Sequence, residues 1–100
     1  MRDPKPAMIV GLCEIDLSIP ESHSLKDKRQ ILRSLLDGLR NRFNVSVAEV
    51  DRMDAWQRAT VGVACVSNET RFSVQVLNKV MDAVRSNPRV VVVDYSIETV

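Results

Sequence analysis

From Met8 to Ile19 the chain alternates. Ile9, Gly11, Cys13, Ile15, Leu17 and Ile19 fall on one side of an extended backbone, and Met8, Val10, Leu12, Glu14, Asp16 and Ser18 on the other. A period of two is the signature of a strand. The odd side is apolar or small throughout and belongs to a core, whereas the even side turns polar after Leu12. Pro20 ends the strand, because it has no N–H for a ladder.

The period then changes. Ser24 to Arg42 reads as a helix, with Ser24 as N-cap, Asp27 in a capping-box position, and Leu25, Leu32, Leu35, Leu36, Leu39 and Phe43 recurring at helical spacing. Phe43 to Asp51 is a Val-rich strand, Arg52 to Ala55 a polar turn, and Trp56 to Val66 a third strand with Ala59, Val61, Val63 and Cys65 on one face. Asn68 is the expected cap of a second helix carrying Phe72, Val76, Leu77, Val80, Met81 and Val84. Asn87-Pro88 stops it, since the residue before proline avoids helical angles. Arg89 to Glu98 forms the last strand. The order β-α-β-β-α-β with right-handed crossovers predicts an α+β, ferredoxin-like domain. Its sheet is four-stranded and antiparallel in the order 4-1-3-2, with two helices on one face.

Length allows one domain over 8–100, preceded by a tail at 1–7 that reads as flexible. Met1 to Ala7 holds charges and two prolines and no apolar signal core. Apolar runs such as the four valines Val90 to Val93 are far too short for a membrane span. Net charge is +1, so any nucleic-acid contact must come from a local patch. Cys13 and Cys65 sit in strand patterns with no second Cys at metal spacing, which fits reduced thiols of a cytoplasmic protein. No metal, cofactor or small-molecule ligand is implied.

Helices cover one face of such a sheet; the other must meet water or a partner. A four-residue hairpin loop would pair Asp51 with Trp56 and Glu49 with Arg58. The uncovered face then collects Met8, Val10 and Leu12, with Val45 and Val47, with Ala64 and Val66, and with Val90, Val92 and Asp94 if Tyr95 faces the helices. Small aliphatics at one end and charges at the other make this face a candidate homodimer surface. Base-stacking aromatics are missing from its central strands apart from Trp56, which argues against the sheet-face mode of RNA recognition.

The first helix begins with cations, Lys26, Lys28 and Arg29, where the helix dipole favours anions. With the Ser24 hydroxyl and Arg33 one turn on, these residues form a candidate phosphate site beside His23, the only histidine. Glu49, Asp51 and Asp54 gather near the hairpin; Glu49 opposite Arg58 reads as a cross-strand ion pair.

The stretches SLKDKRQILRSL (24–35), RFNVSVAEVD (42–51), WQRATVGVACVSN (56–68) and VDYSIE (93–98) resemble the YlxP-like family of uncharacterised small bacterial proteins. The resemblance implies a ferredoxin-like fold and no established chemistry. The family's frequent neighbours among translation and ribosome-maturation factors imply an RNA or ribosome connection.

Two functions remain in competition: a homodimeric module that holds RNA through the basic helix start, and a protein-interaction dimer with no nucleic-acid role. Catalysis is the weaker expectation. The loop Ser18 to Ser24 has neither the Gly and Arg of acylphosphatases nor the CxxC of metal chaperones of this fold class, and no nucleophile stands beside a base. Sensing of a small ligand, as in other domains of this architecture, is neither indicated nor excluded by any residue.

Overall fold

The computed structural model describes residues 8–100; the tail assigned to 1–7 lies outside them. The elements run β1 (Ile9–Ser18), α1 (Leu25–Arg42), β2 (Ser46–Asp51), β3 (Arg58–Ser67), α2 (Thr70–Arg85) and β4 (Val91–Thr99). All pairings are antiparallel and the sheet order is β2-β3-β1-β4, the expected ferredoxin-like arrangement read from the other edge.

The alternation in β1 sets the two sides of the molecule. Cys13, Ile15, Leu17 and Ile19 are buried, and they meet Ile31, Leu32, Leu35, Leu36 and Leu39 of α1 and Leu77, Val80, Met81 and Val84 of α2 in one core. Ser24 caps α1: its Oγ accepts from the Asp27 N–H at 3.0 Å, and Asp27 Oδ2 accepts from the His23 N–H at 3.0 Å. The second helix starts one residue later than expected. Glu69 occupies its N-cap position and makes no side-chain cap bond, while Phe72 points outward. At Gly11 α2 lies close against the sheet. A Cβ there would sit 3.0 Å from Cys65 Sγ and from Leu77 Cδ1.

Two strands depart from the expected register, each at a bulge. In the β2–β3 hairpin, Asp51 pairs with Thr60 rather than Trp56, and the ladder shifts between Glu49 and Asp51. Arg52 turns the chain through the left-handed region at φ 63°, and Ala55 N–H closes the turn on Arg52 O at 3.0 Å. The longer loop leaves Asp51 on the expected face, and the bulge at Val50 then reverses the rest of β2. Val47 lies opposite Val63 and is buried in the core, and Val45 packs against it; Ser46 and Ala48 take the uncovered face.

In β4, Leu17 pairs with Val92 and Asp16 with Asp94, so Val93 is the extra residue. Val90 and Val92 therefore join the core side, where they were expected on the open side, and Val91 is left exposed. Beyond the bulge the expected sides hold. Asp94 shares the open face with Asp16, and Tyr95 lies under Arg85 of α2, whose guanidinium carbon is 4.9 Å from the ring centre.

Candidate functional site

Helical geometry divides the cations of α1. At about 100° per residue, positions 26, 29 or 30, 33 and 37 share one face, while 28, 31, 32, 35 and 39 share the opposite one. Lys26, Arg29 and Arg33 accordingly line a shallow depression of about 430 Å³ on the outer face of α1, together with Gln30, Ser34 and Asp37. All three cations are exposed, and among the described residues none is in an ion pair. Asp37, the acid in the depression, is held by Arg40 at 3.0 Å.

Lys28 and Ser24 separate from this group. Lys28 is 1% exposed; its Nζ donates to Arg52 O at 2.7 Å and sits 2.7 Å from Glu49 Oε2. The contact to Glu49 is ionic, for Oε2 accepts no directed hydrogen bond. The Ser24 hydroxyl is committed to its own helix, and the Asp27 carboxylate already lies against the first turn. The basic surface is therefore a helix face of three residues, not the helix start with five. The spacing of Lys28 from Ile31, Leu32 and Leu35 was the available signal that it points inward.

The uncovered sheet face has two halves. Val10, Leu12, Ala64 and Val66 lie in adjacent pairs on β1 and β3, with Val100 bonded to Val10 through both backbone groups, at 3.0 and 2.9 Å. Met8, Val66 and Val100 stand out at this end, about two-thirds exposed. Farther along, Gly62 and its neighbours Leu12, Ala48, Val50, Ala64 and Ser96 form an open hollow of about 460 Å³. The sequence reading missed this hollow, because Ala48 and Val50 reach it only in the corrected register.

The far half is charged. Asp16 Oδ1 accepts from Thr60 Oγ1 at 2.8 Å and lies 3.9 Å from Arg52 Nε; Glu14 and Asp94 adjoin it. The expected Glu49–Arg58 pair does not form, since Glu49 faces Lys28 on the other side of the sheet and Arg58 Nε is buried without a partner. No group of three His, Cys, Asp or Glu side chains is placed to hold a metal ion among the described residues.

Trp56 is just over half exposed on the β2–β3 loop, which also carries exposed Met53. The loop is braced by Gln57, whose Nε2 donates to Pro20 O at 3.2 Å and Ser22 O at 3.0 Å. Both cysteines are buried and free. Burial pushes the Cys13 thiol up to about 11, against a smaller opposing pull from the Arg85 charge, so it is a neutral core group near pH 7. Among the described residues no helix is long and apolar enough to cross a membrane.

Residues 10–97 match the model of a family described as a protein of unknown function, DUF503. The chain is also 34% identical over 82 residues to the uncharacterized protein YlxP of Bacillus subtilis (strain 168), a match covering 82% of this chain and 89% of that protein. The fold, the family match and the similarity along most of the length agree, and the chain belongs to the DUF503 family of proteins of unknown function.

Proposed function

We propose that the chain is a non-enzymatic binding module that pairs with a second copy of itself and holds RNA, free or in the ribosome, along the outer face of α1. The observation that carries this reading is the stripe of Lys26, Arg29 and Arg33, exposed together and uncompensated by any ion pair among the described residues. Lys26 and Arg33 are about 10 Å apart along the helix axis at 1.5 Å per residue. A row of cations of that length follows a phosphate backbone and reads no base, so the ligand is recognised by charge. Two copies would present two stripes, and joint attachment raises avidity.

The test is binding of a labelled single-stranded oligoribonucleotide across a salt series, read by anisotropy. Three phosphate contacts give log Kobs against log salt a slope of about −2. The variant with Lys26, Arg29 and Arg33 all changed to Ala should lose most of the affinity and most of that slope. Binding that ignores salt or survives the triple change overturns the reading.

A second reading, a protein-interaction dimer, draws on the exposed Met53 and Trp56 carried by a braced loop, since rigid exposed aromatics are common interface anchors. A chain that ignores RNA at every salt concentration but retains one protein partner, lost on Trp56→Ala, would favour it.

A further inference from the structure

Charge is divided between the two layers of the molecule. The helices α1 and α2 hold nine Lys and Arg against three Asp, whereas the four strands hold six carboxylates against one Arg. On the open sheet face Glu14, Asp16, Asp94 and Glu98 repel a polyanion. The helical side attracts one.

That side is also furrowed. The depression at Lys26, Arg29 and Arg33 meets a second one, of about 390 Å³, at Ser34. The second is the groove between the helices, with Gly38 on one wall and Ala83 on the other. It meets a third, of about 290 Å³, at Arg42, Ala83 and Ser86, and Lys79 lines the far side. Joined, the three make one track that follows α1 from Lys26 to Arg42, about 24 Å at 1.5 Å per residue.

Both ends of the track are basic. Arg42 and Lys79 are exposed, and neither is in an ion pair among the described residues. The Arg42 guanidinium carbon stands 5.3 Å from the Phe43 ring centre, a contact that orients the side chain without neutralising it. Of the carboxylates on the track, Asp37 is held by Arg40, and Asp82, one turn from Lys79, offsets part of its charge. One net positive charge remains at the far end. Arg89 on the groove wall is already paired with Glu21.

We infer that an unpaired RNA strand held by the α1 stripe runs on past Ser34 into the groove between α1 and α2 and reaches Arg42 and Lys79. The inference rests on the RNA reading of the proposed function and names the form of RNA: axes of packed helices stand about 8–10 Å apart, so the groove takes one strand and not a duplex. Arg42 and Lys79 add two phosphate contacts to the three of the stripe. On a strand long enough to run the track, the slope of log Kobs against log salt steepens from about −2 to about −3.5.

The experiment is an anisotropy salt series on the full chain with a labelled uridine dodecamer, which does not pair with itself and outspans the track. Arg42→Ala with Lys79→Ala should reduce the magnitude of the slope by about 1.4. Arg71→Ala, which removes an exposed cation of α2 outside the three depressions, should leave it unchanged. Gly38→Leu should reduce it as the double change does, with every charge in place, because the space beyond Gly38 is open and the new side chain rises into the groove. Leu is the better helix former, and thermal unfolding of the same sample confirms that the fold is kept. A double variant or a Gly38→Leu chain with the wild-type slope, or an equal reduction by Arg71→Ala, overturns the track. The stripe still stands in that case if changing Lys26, Arg29 and Arg33 together abolishes binding. Binding that ignores salt overturns both.

Discussion

The Lys28 ammonium meets the Glu49 carboxylate at 2.7 Å, and Lys28 is the one charged residue among those that α1 buries. The same ammonium donates to Arg52 O, the carbonyl of the left-handed residue that starts the β2–β3 turn. A single side chain thus ties the helix to the bulged end of β2 and to the loop that carries Trp56.

Removing one partner should cost far more than removing both. Glu49→Ala leaves Lys28 buried with a carbonyl but no counter-charge, and about 3 kcal/mol of stability should be lost, the low end for buried pairs because Glu49 is a quarter exposed. Lys28→Met with Glu49→Leu should recover most of that loss. Urea unfolding of the single and double variants measures the difference. Equal loss in both would show that the pair itself, and not the orphaned charge, supplies the stability.

Two glycine substitutions should act with opposite signs. Gly38 lies inside α1 with open space where a Cβ would go, so Gly38→Ala should stabilise by about 1 kcal/mol. At Gly11 the added methyl meets Cys65, Leu77 and the Ser73 side chain at 3.0–3.1 Å, and Gly11→Ala should destabilise by about 1–3 kcal/mol. Thermal unfolding decides both; a gain at Gly11 would mean that α2 shifts freely on the sheet.

These residues also show what the sequence could and could not disclose. The period-two run over Ile9 to Ile19 and the leucines of α1 carry the fold, because from Cys13 onward each apolar side chain of the strand has a polar neighbour to mark its side, and the helix leucines recur among polar residues. Val90 to Val93 carries no such mark: four valines in a row have no polar–apolar contrast, so the bulge at Val93 that reverses their faces is invisible. The β2 register was hidden for a related reason. The longer loop turns on a left-handed Arg52 where Gly or Asn would have been the sign, and the bulge at Val50 that reverses the faces carries no mark of its own. Lys28 was legible by spacing, but its charge argued for solvent until Glu49 was seen on the same side.

Within the RNA reading, each cation of the stripe should act independently. Neutralising Lys26, Arg29 or Arg33 singly should reduce the magnitude of the salt slope on a single strand by about 0.7 per residue. Lys28→Met, by contrast, should leave the slope unchanged, since its ammonium is buried and paired. A slope reduced by the Lys28 change as much as by Arg29→Ala would show that the stripe is not the phosphate contact. Anisotropy titrations at four or more salt concentrations supply these slopes.

Stability should also fall at high pH through Cys13. Its thiol ionises at about 11 in the fold and at 9.0 when the chain is open. Below pH 9 both states keep the proton and the difference contributes nothing. Between pH 9 and 11 the unfolded chain loses the proton first, so the folded state binds more protons and stability falls as pH rises. The full loss, reached above pH 11, is about 2–3 kcal/mol at 1.36 kcal/mol per pKa unit. Cys13→Ala, whose cavity cost is the same at every pH, should flatten that part of the profile, so the difference between wild type and variant isolates the thiol. Urea midpoints measured from pH 8 to 11 provide the check, and parallel profiles for the two proteins would place the Cys13 thiol near its ordinary value.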